Sequence, residues 1–160
     1  MTDINIVKIN DGEGQKAKKT AACMSEPKIR KKAMLDMLGV QCAIKYLASK
    51  KISADTKRSI FKTPLLYEEF NILDLYYGNY RIDVITLYQE KEIKIPKLYS
   101  EFDIMPNFYL VIQLGARLQD ARIVGFLDAK NVLNCICDSK YFYPPLNMVF
   151  DINEFISLTR

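Results

Sequence analysis

Apolar residues are densest over residues 107–129, N-F-Y-L-V-I-Q-L-G-A-R-L-Q-D-A-R-I-V-G-F-L-D-A. The pattern predicts two strands, 108–114 and 121–127, closed into a β-hairpin by a short loop around Gly115, Ala116 and Arg117, with Gly115 sharpening the turn. Phe108, Leu110, Ile112 and Leu114 alternate with Tyr109 and Val111, and Ile123 and Leu127 alternate with Val124 and Phe126. Both faces of the hairpin are therefore apolar, which places it in the middle of a sheet covered on both sides.

Upstream, apolar residues recur at helical spacing: Met34, Met37, Leu38, Ile44 and Leu47, with Leu35, Cys42 and Tyr46 broadening the stripe. Ser25 as N-cap, with Glu26 and Pro27 in the first turn, predicts a helix running to about Ser49. So wide a stripe presses the helix into the sheet. Gly39 costs about 1 kcal/mol against alanine in a helix interior, which is tolerable where another backbone passes close. Residues 52–69 carry no clear period, and Pro64 blocks an uninterrupted helix, so no element is predicted there.

Residues 70–76 and 80–88 alternate about a turn at Gly78 and Asn79 and predict a second hairpin, with Ile82, Val84 and Thr86 on one face. Residues 92–95 read as a short strand that Pro96 ends. Residues 132–137 read as one further short strand, Y-F-Y-P-P-L as an ordered turn, and residues 151–158 as a short C-terminal helix capped by Asp151. The sum is an α+β fold: a long N-terminal helix packed on an antiparallel meander of about five or six strands, with a short C-terminal helix.

Residues 1–24 have no periodicity and predict a disordered basic leader ahead of a single α+β domain over 25–160. Met24, just before S-E-P-K, is a second possible start of translation beside Met1. The formal net charge is +4. Eight basic and four acidic side chains fall in residues 1–32, against fifteen of each in the remainder, so the body is neutral. Lys16, Lys18, Lys19, Lys28, Arg30, Lys31 and Lys32 form a basic stretch, readable as an arm for nucleic acid or an acidic partner. The plainer reading, a solvated tail running into a helix start, is preferred, because counterion release needs Lys and Arg clustered on the docking surface.

No apolar run is long enough to span a bilayer, and the opening residues lack a signal peptide's basic start and apolar core. Four cysteines without an export signal predict reduced thiols in a cytoplasm. Cys135 and Cys137 stand in C-I-C, tighter than the separation of about two to four residues usual at zinc sites, so both are read as buried or idle. The absence of His removes the commonest metal ligand and general base, and most hydrolase triads with it. No cofactor is implied.

The sharpest enzymatic constellation is Asp83 followed by Glu92-Ile93-Lys94. An Asp on one strand and E-x-K on the next is how restriction-type nucleases hold Mg²⁺ between carboxylates and set a Lys beside the attacking water. Such short patterns recur by chance, and Q-E-K-E-I-K also reads as a solvated hairpin end. No glycine-rich phosphate loop occurs. Two aromatic clusters, Tyr76, Tyr77 and Tyr80, and Tyr141 and Tyr143, suit protein contacts if exposed and corner packing if not.

The helix K-A-M-L-D-M-L-G-V-Q-C-A-I-K-Y-L, the hairpin D-L-Y-Y-G-N-Y-R-I-D-V, Ile95-Pro96, and Y-L-V-I-Q-L followed by L-Q-D-A-R-I-V-G-F-L carry a likeness over roughly residues 32–158. The chain resembles domain-of-unknown-function family 1822, a cyanobacterial-type family whose members are longer at the C-terminus. Gln113, Leu114, Gly125 and Phe126 fall on its last pattern. These are packing and turn positions, so the resemblance implies a fold and no activity. Its counterparts of Asp83 and Glu92 are not carboxylates, which tells against a nuclease. The expected function is a non-catalytic protein-interaction or regulatory module in the cytoplasm, with another protein as partner and no membrane. The alternatives are a metal-dependent nuclease-like enzyme and nucleic-acid binding through the basic arm.

Overall fold

The computed structural model describes residues 5–59, 67, 72 and 74–159. At its centre Phe108–Leu114 (β5) and Asp120–Asp128 (β6) pair antiparallel, as their apolar run predicts. Ile6–Lys8 (β1), Asp74–Tyr77 (β2) and Tyr80–Leu87 (β3) complete a five-stranded sheet in the order β1-β6-β5-β3-β2. The hairpin of β2 and β3 turns at Gly78-Asn79 as predicted, with Gly78 at φ 56° in the first turn position. Of the strand expected over 70–76, residues 70, 71 and 73 lie outside the described residues.

The sheet is mixed, which corrects the expected antiparallel meander. β3 and β5 run parallel, from Ile82↔Phe108 to Leu87↔Gln113. Parallel neighbours need a crossover. The chain between them carries Ile95–Pro96 (β4) and Leu98–Glu101 (α3), whose Ile95 and Tyr99 pack with Tyr109, Val111 and Leu127. The strand expected at 92–95 is thus shifted to β4, which pairs not with the main sheet but with Tyr141–Phe142 (β7).

The helix Pro27–Ser49 (α2) covers the opposite face and buries Met37, Leu38, Val40, Ala43 and Leu47 with Ile82, Val84, Leu110 and Ile112. Its N-cap is Glu26, not Ser25, and the Glu26 side chain makes no capping bond. Gly39 does sit at a close approach, but to a side chain: a Cβ there would lie 1.9 Å from Thr86 Oγ1. The helix ends in a Schellman motif, with Lys51 N–H donating to Ala48 O at 3.0 Å and Ile52 N–H to Leu47 O at 2.9 Å.

The expected disordered leader is instead ordered from Asn5 onward. β1 pairs with β6, and Asp11–Ala21 (α1) packs on α2 with Ala17 and Ala21 buried. Asn10 and Glu13 form a capping box, which gives this polar segment a firm helix start. Alanines four apart then let α1 approach α2 closely. Small residues, read as a mark of disorder, are here the packing face.

Two further corrections concern β6 and its loop. The residue at positive φ in the loop is Leu118, at 55°, and Gly115 lies close to Asp120, whose Oδ1 would stand 2.2 Å from a Cβ at 115. The register shifts at Val111/Ile112, so Val124 is an extra residue in β6. This bulge reverses the phase: Ile123 faces α2 and Leu127 faces away, while Phe126 rejoins Ile123 on the α2 side. The strand expected over 132–137 is not formed; Ala129–Val132 (α4) is a short helix started by Asp128. The C-terminal helix Ile152–Leu158 (α5) begins at Asp151 as expected, with Asp151 Oδ1 accepting from Asn153 N–H at 2.7 Å. Among the described residues no helix is long and apolar enough to cross a membrane.

Candidate functional site

Among the described residues β2 pairs with β3 from Tyr77↔Tyr80 to Asp74↔Asp83. A cleft of about 520 Å³ lies along β3 beyond Asp83. Its floor is the edge of β3 over residues 83–88. The early turns of α2 form one wall, with Lys28, Ile29, Lys31, Lys32, Leu35 and Asp36. Ile95, Pro96, Tyr99, Tyr109 and Tyr141 form the other, with Glu90, Glu92 and Lys94 at the rim.

The two walls follow from the sheet's two faces. Alternation along β3 sends Ile82 and Val84 into the core under α2 and Leu87 into the core under β4 and α3. The cleft lies between these layers, mostly apolar within and charged at its mouth.

A buried polar cluster closes one end. Asp74 and Asp83 face each other across the ladder, both buried. Asp74 Oδ2 lies 3.4 Å from Arg81 Nε, and Asp74 Oδ1 accepts a short hydrogen bond from Ser59 Oγ. Arg81 Nη1 also donates to Ile104 O at 2.7 Å. Burial, and after it the neighbouring Asp83 carboxylate, pushes the Tyr99 and Tyr109 phenols well up, so both stay neutral donors. On the α2 wall Asp36 Oδ2 accepts from Lys32 Nζ at 2.6 Å and from Tyr67 Oη at 2.7 Å. Burial raises the Asp36 pKa despite the lysine.

Asp83, Glu92 and Lys94, joined by sequence pattern, do line one cleft. Asp83 is buried in the polar cluster, whereas Glu92 and Lys94 pair with each other at 3.4 Å on the exposed rim. Among the described residues no three His, Cys, Asp or Glu side chains come together as a metal site.

The aromatic candidates are divided. Tyr76 and Tyr77 are half-buried, with the Arg58 guanidinium 4.2 Å above the Tyr76 ring, and Tyr80 stacks near Phe108. Tyr141 lines the cleft. Tyr143 donates to Asp138 at 2.5 Å, a bond that lowers the Asp138 carboxyl to about 2.

The basic candidates are divided too: Lys16, Lys18 and Lys19 belong to α1, while Lys28, Lys31 and Lys32 reach the cleft. Arg30 turns away to Met24 O and Ser25 O. Sequence reasoning missed Asp36, Asp74, Arg81, Tyr99 and Tyr109. A signal for Asp74 exists: once Gly78-Asn79 is the turn, residues 74 and 83 stand equally far from it and must face each other.

The family model described as protein of unknown function (DUF1822) matches residues 7–143. No curated protein and no solved structure matches.

Proposed function

Because this chain belongs to the DUF1822 family, whose description carries no activity, we propose from the cleft itself that the protein is a non-catalytic interaction module that receives a segment of a partner protein. The observation that supports the reading is the cleft along β3, with apolar side chains inside and lysines at the mouth. Concave, mostly apolar sites with few polar groups are binding sites. The free thiols favour work in a reducing cytoplasm, and the family resemblance favours a bacterial one.

The test is a photo-crosslinking residue placed in the native host at Ile85 on the cleft floor and, as control, at exposed Leu158. A discrete protein adduct is expected from Ile85 alone. No adduct, or the same adducts from both positions, would overturn the reading.

A second reading, Mg²⁺-dependent phosphodiester hydrolysis, is favoured by one observation, the shared cleft of Asp83, Glu92 and Lys94. Cleavage of DNA or RNA that is lost on Glu92→Gln would establish it in place of the first. Nucleic-acid binding by a basic arm has less support, since its lysines are spread over two helices.

A further inference from the structure

We propose that Cys135, Cys137 and Met148 form a binding site for one Cu(I) ion. None of the three lines the cleft, so the site is independent of the interaction reading above.

The first argument is the placement of the sulfurs. Cys135 Sγ lies 3.4 Å from Sδ of Met148, the last residue of the short 3-10 helix Leu146–Met148. Two sulfurs that close both reach one ion at metal–sulfur distances of about 2.3 Å. Cys137 pairs antiparallel with Phe142, and directly opposed residues share a face. That face is the inner one, since Phe142 is buried with Ile95 and Val132 and Met148 packs against the same core. Ile136, between the two cysteines, is 83% exposed and points the other way. All three sulfurs therefore stand on one side of the segment. Cys137 is exposed, with a single side-chain torsion to set, so its thiol can turn toward the other two.

The second argument is donor chemistry. Two thiolates and a thioether are soft ligands, a set that suits Cu(I). Structural zinc sites take four ligands drawn from Cys, His and carboxylates. The chain has no His, and the neighbouring Asp138 carboxylate is already engaged. It accepts from Lys140 N–H at 2.7 Å, from Tyr141 N–H at 2.8 Å and from Tyr143 Oη at 2.5 Å. The C-I-C spacing that is too tight for zinc thus leaves a three-sulfur set. Burial raises the Cys135 thiol, which is protonated in the metal-free protein. Ligation sends the thiol protons to solvent and leaves the oxidation state of the ion unchanged.

The test titrates Cu(I) without oxygen into the full-length protein in competition with bathocuproine disulfonate, a chelator whose colour reports the copper it holds. The expected result is one ion retained per chain. Cys135→Ser and Cys137→Ser should each weaken retention at least about ten-fold, Met148→Leu should weaken it less, and Cys23→Ser, at an exposed thiol outside the site, should leave it unchanged. Circular dichroism confirms that each variant is folded, and the exposed Cys137 keeps the test decisive if Cys135→Ser is not. X-ray absorption should count three sulfurs around the copper in wild type and two in Met148→Leu. No copper held against the chelator, equal retention by Cys137→Ser, or an unchanged sulfur count in Met148→Leu would overturn the site.

Discussion

Gly39→Ala tests the α2–β3 contact that frames the cleft. In isolation the change favours the helix by about 1 kcal/mol, because alanine loses less backbone entropy than glycine. Against this, the new Cβ would lie 1.9 Å from Thr86 Oγ1, 2.9 Å from its Cβ and 3.0 Å from its Cγ2. Thr86 is short and β-branched, so it has no flexible end to swing aside. The helix must lift or the strand must yield, and such overpacking costs about 1–3 kcal/mol. The net expectation is a loss of up to about 2 kcal/mol. Thr86→Ala removes Oγ1 and Cγ2, and with them a buried hydroxyl that has no hydrogen-bond partner among the described residues. In the double variant most of the clash is gone, so the two changes should couple by about 1 kcal/mol or more. Urea denaturation of the two single variants and the double gives this number directly. If Gly39→Ala proves more stable than wild type and the double variant is additive, the close approach of α2 and β3 is refuted.

Lys51→Gly should stabilise the protein by about 1 kcal/mol, since Lys51 holds φ 64° at the position after the α2 cap where glycine has no Cβ strain; thermal denaturation reads it. Gly125→Ala should cost about 2–3 kcal/mol or more, because its Cβ would meet the backbone oxygen of Phe150 at 2.2 Å and Gly125 sits at φ 155°; the same urea assay decides. Asp36→Asn tests the sign of a pH effect. The unfolded carboxyl titrates near 3.8 and the buried one higher, so the folded state keeps a proton the unfolded state has lost, and wild-type stability falls as pH rises through that window. The Asn variant should show a flatter profile there, and an unchanged slope would remove Asp36 as the source.

The periodic parts of the chain were legible. β5, β6, the β2–β3 hairpin, α2 and α5 each carry a pattern that one local rule decodes, whether alternation, a helical stripe or an Asp cap. What was not legible depended on partners distant in sequence. Nothing local in Tyr80–Leu87 says that its neighbour is β5 running parallel, because that choice is made by the crossover packing Ile95 and Tyr99 on the sheet's far face. The phase of Ile123 against Leu127 was misread because a bulge inserts Val124 between them. The ordered N-terminal segment was missed although N-D-G-E carries its capping box, since low hydrophobicity outweighed a two-residue signal. The site itself was half visible: Asp83, Glu92 and Lys94 do share a cleft, but the α2 wall reaches it only through the tertiary fold.

The polar cluster at the end of the cleft bears on how the β2–β3 pair is held together. Asp74 and Asp83 are opposed carboxylates deep in the protein, and opposed like charges destabilise a strand pair. Arg81, two residues from Asp83 and on the same face, lies against Asp74 and compensates the pair. Removing one member of such a buried set leaves the others uncompensated, a loss of about 3–5 kcal/mol. The cluster therefore fixes the Asp74↔Asp83 rung of the β2–β3 ladder. The same cluster holds one end of the cleft between its two walls, on α2 and on β4 and α3, so its loss should reach the cleft as well as the sheet.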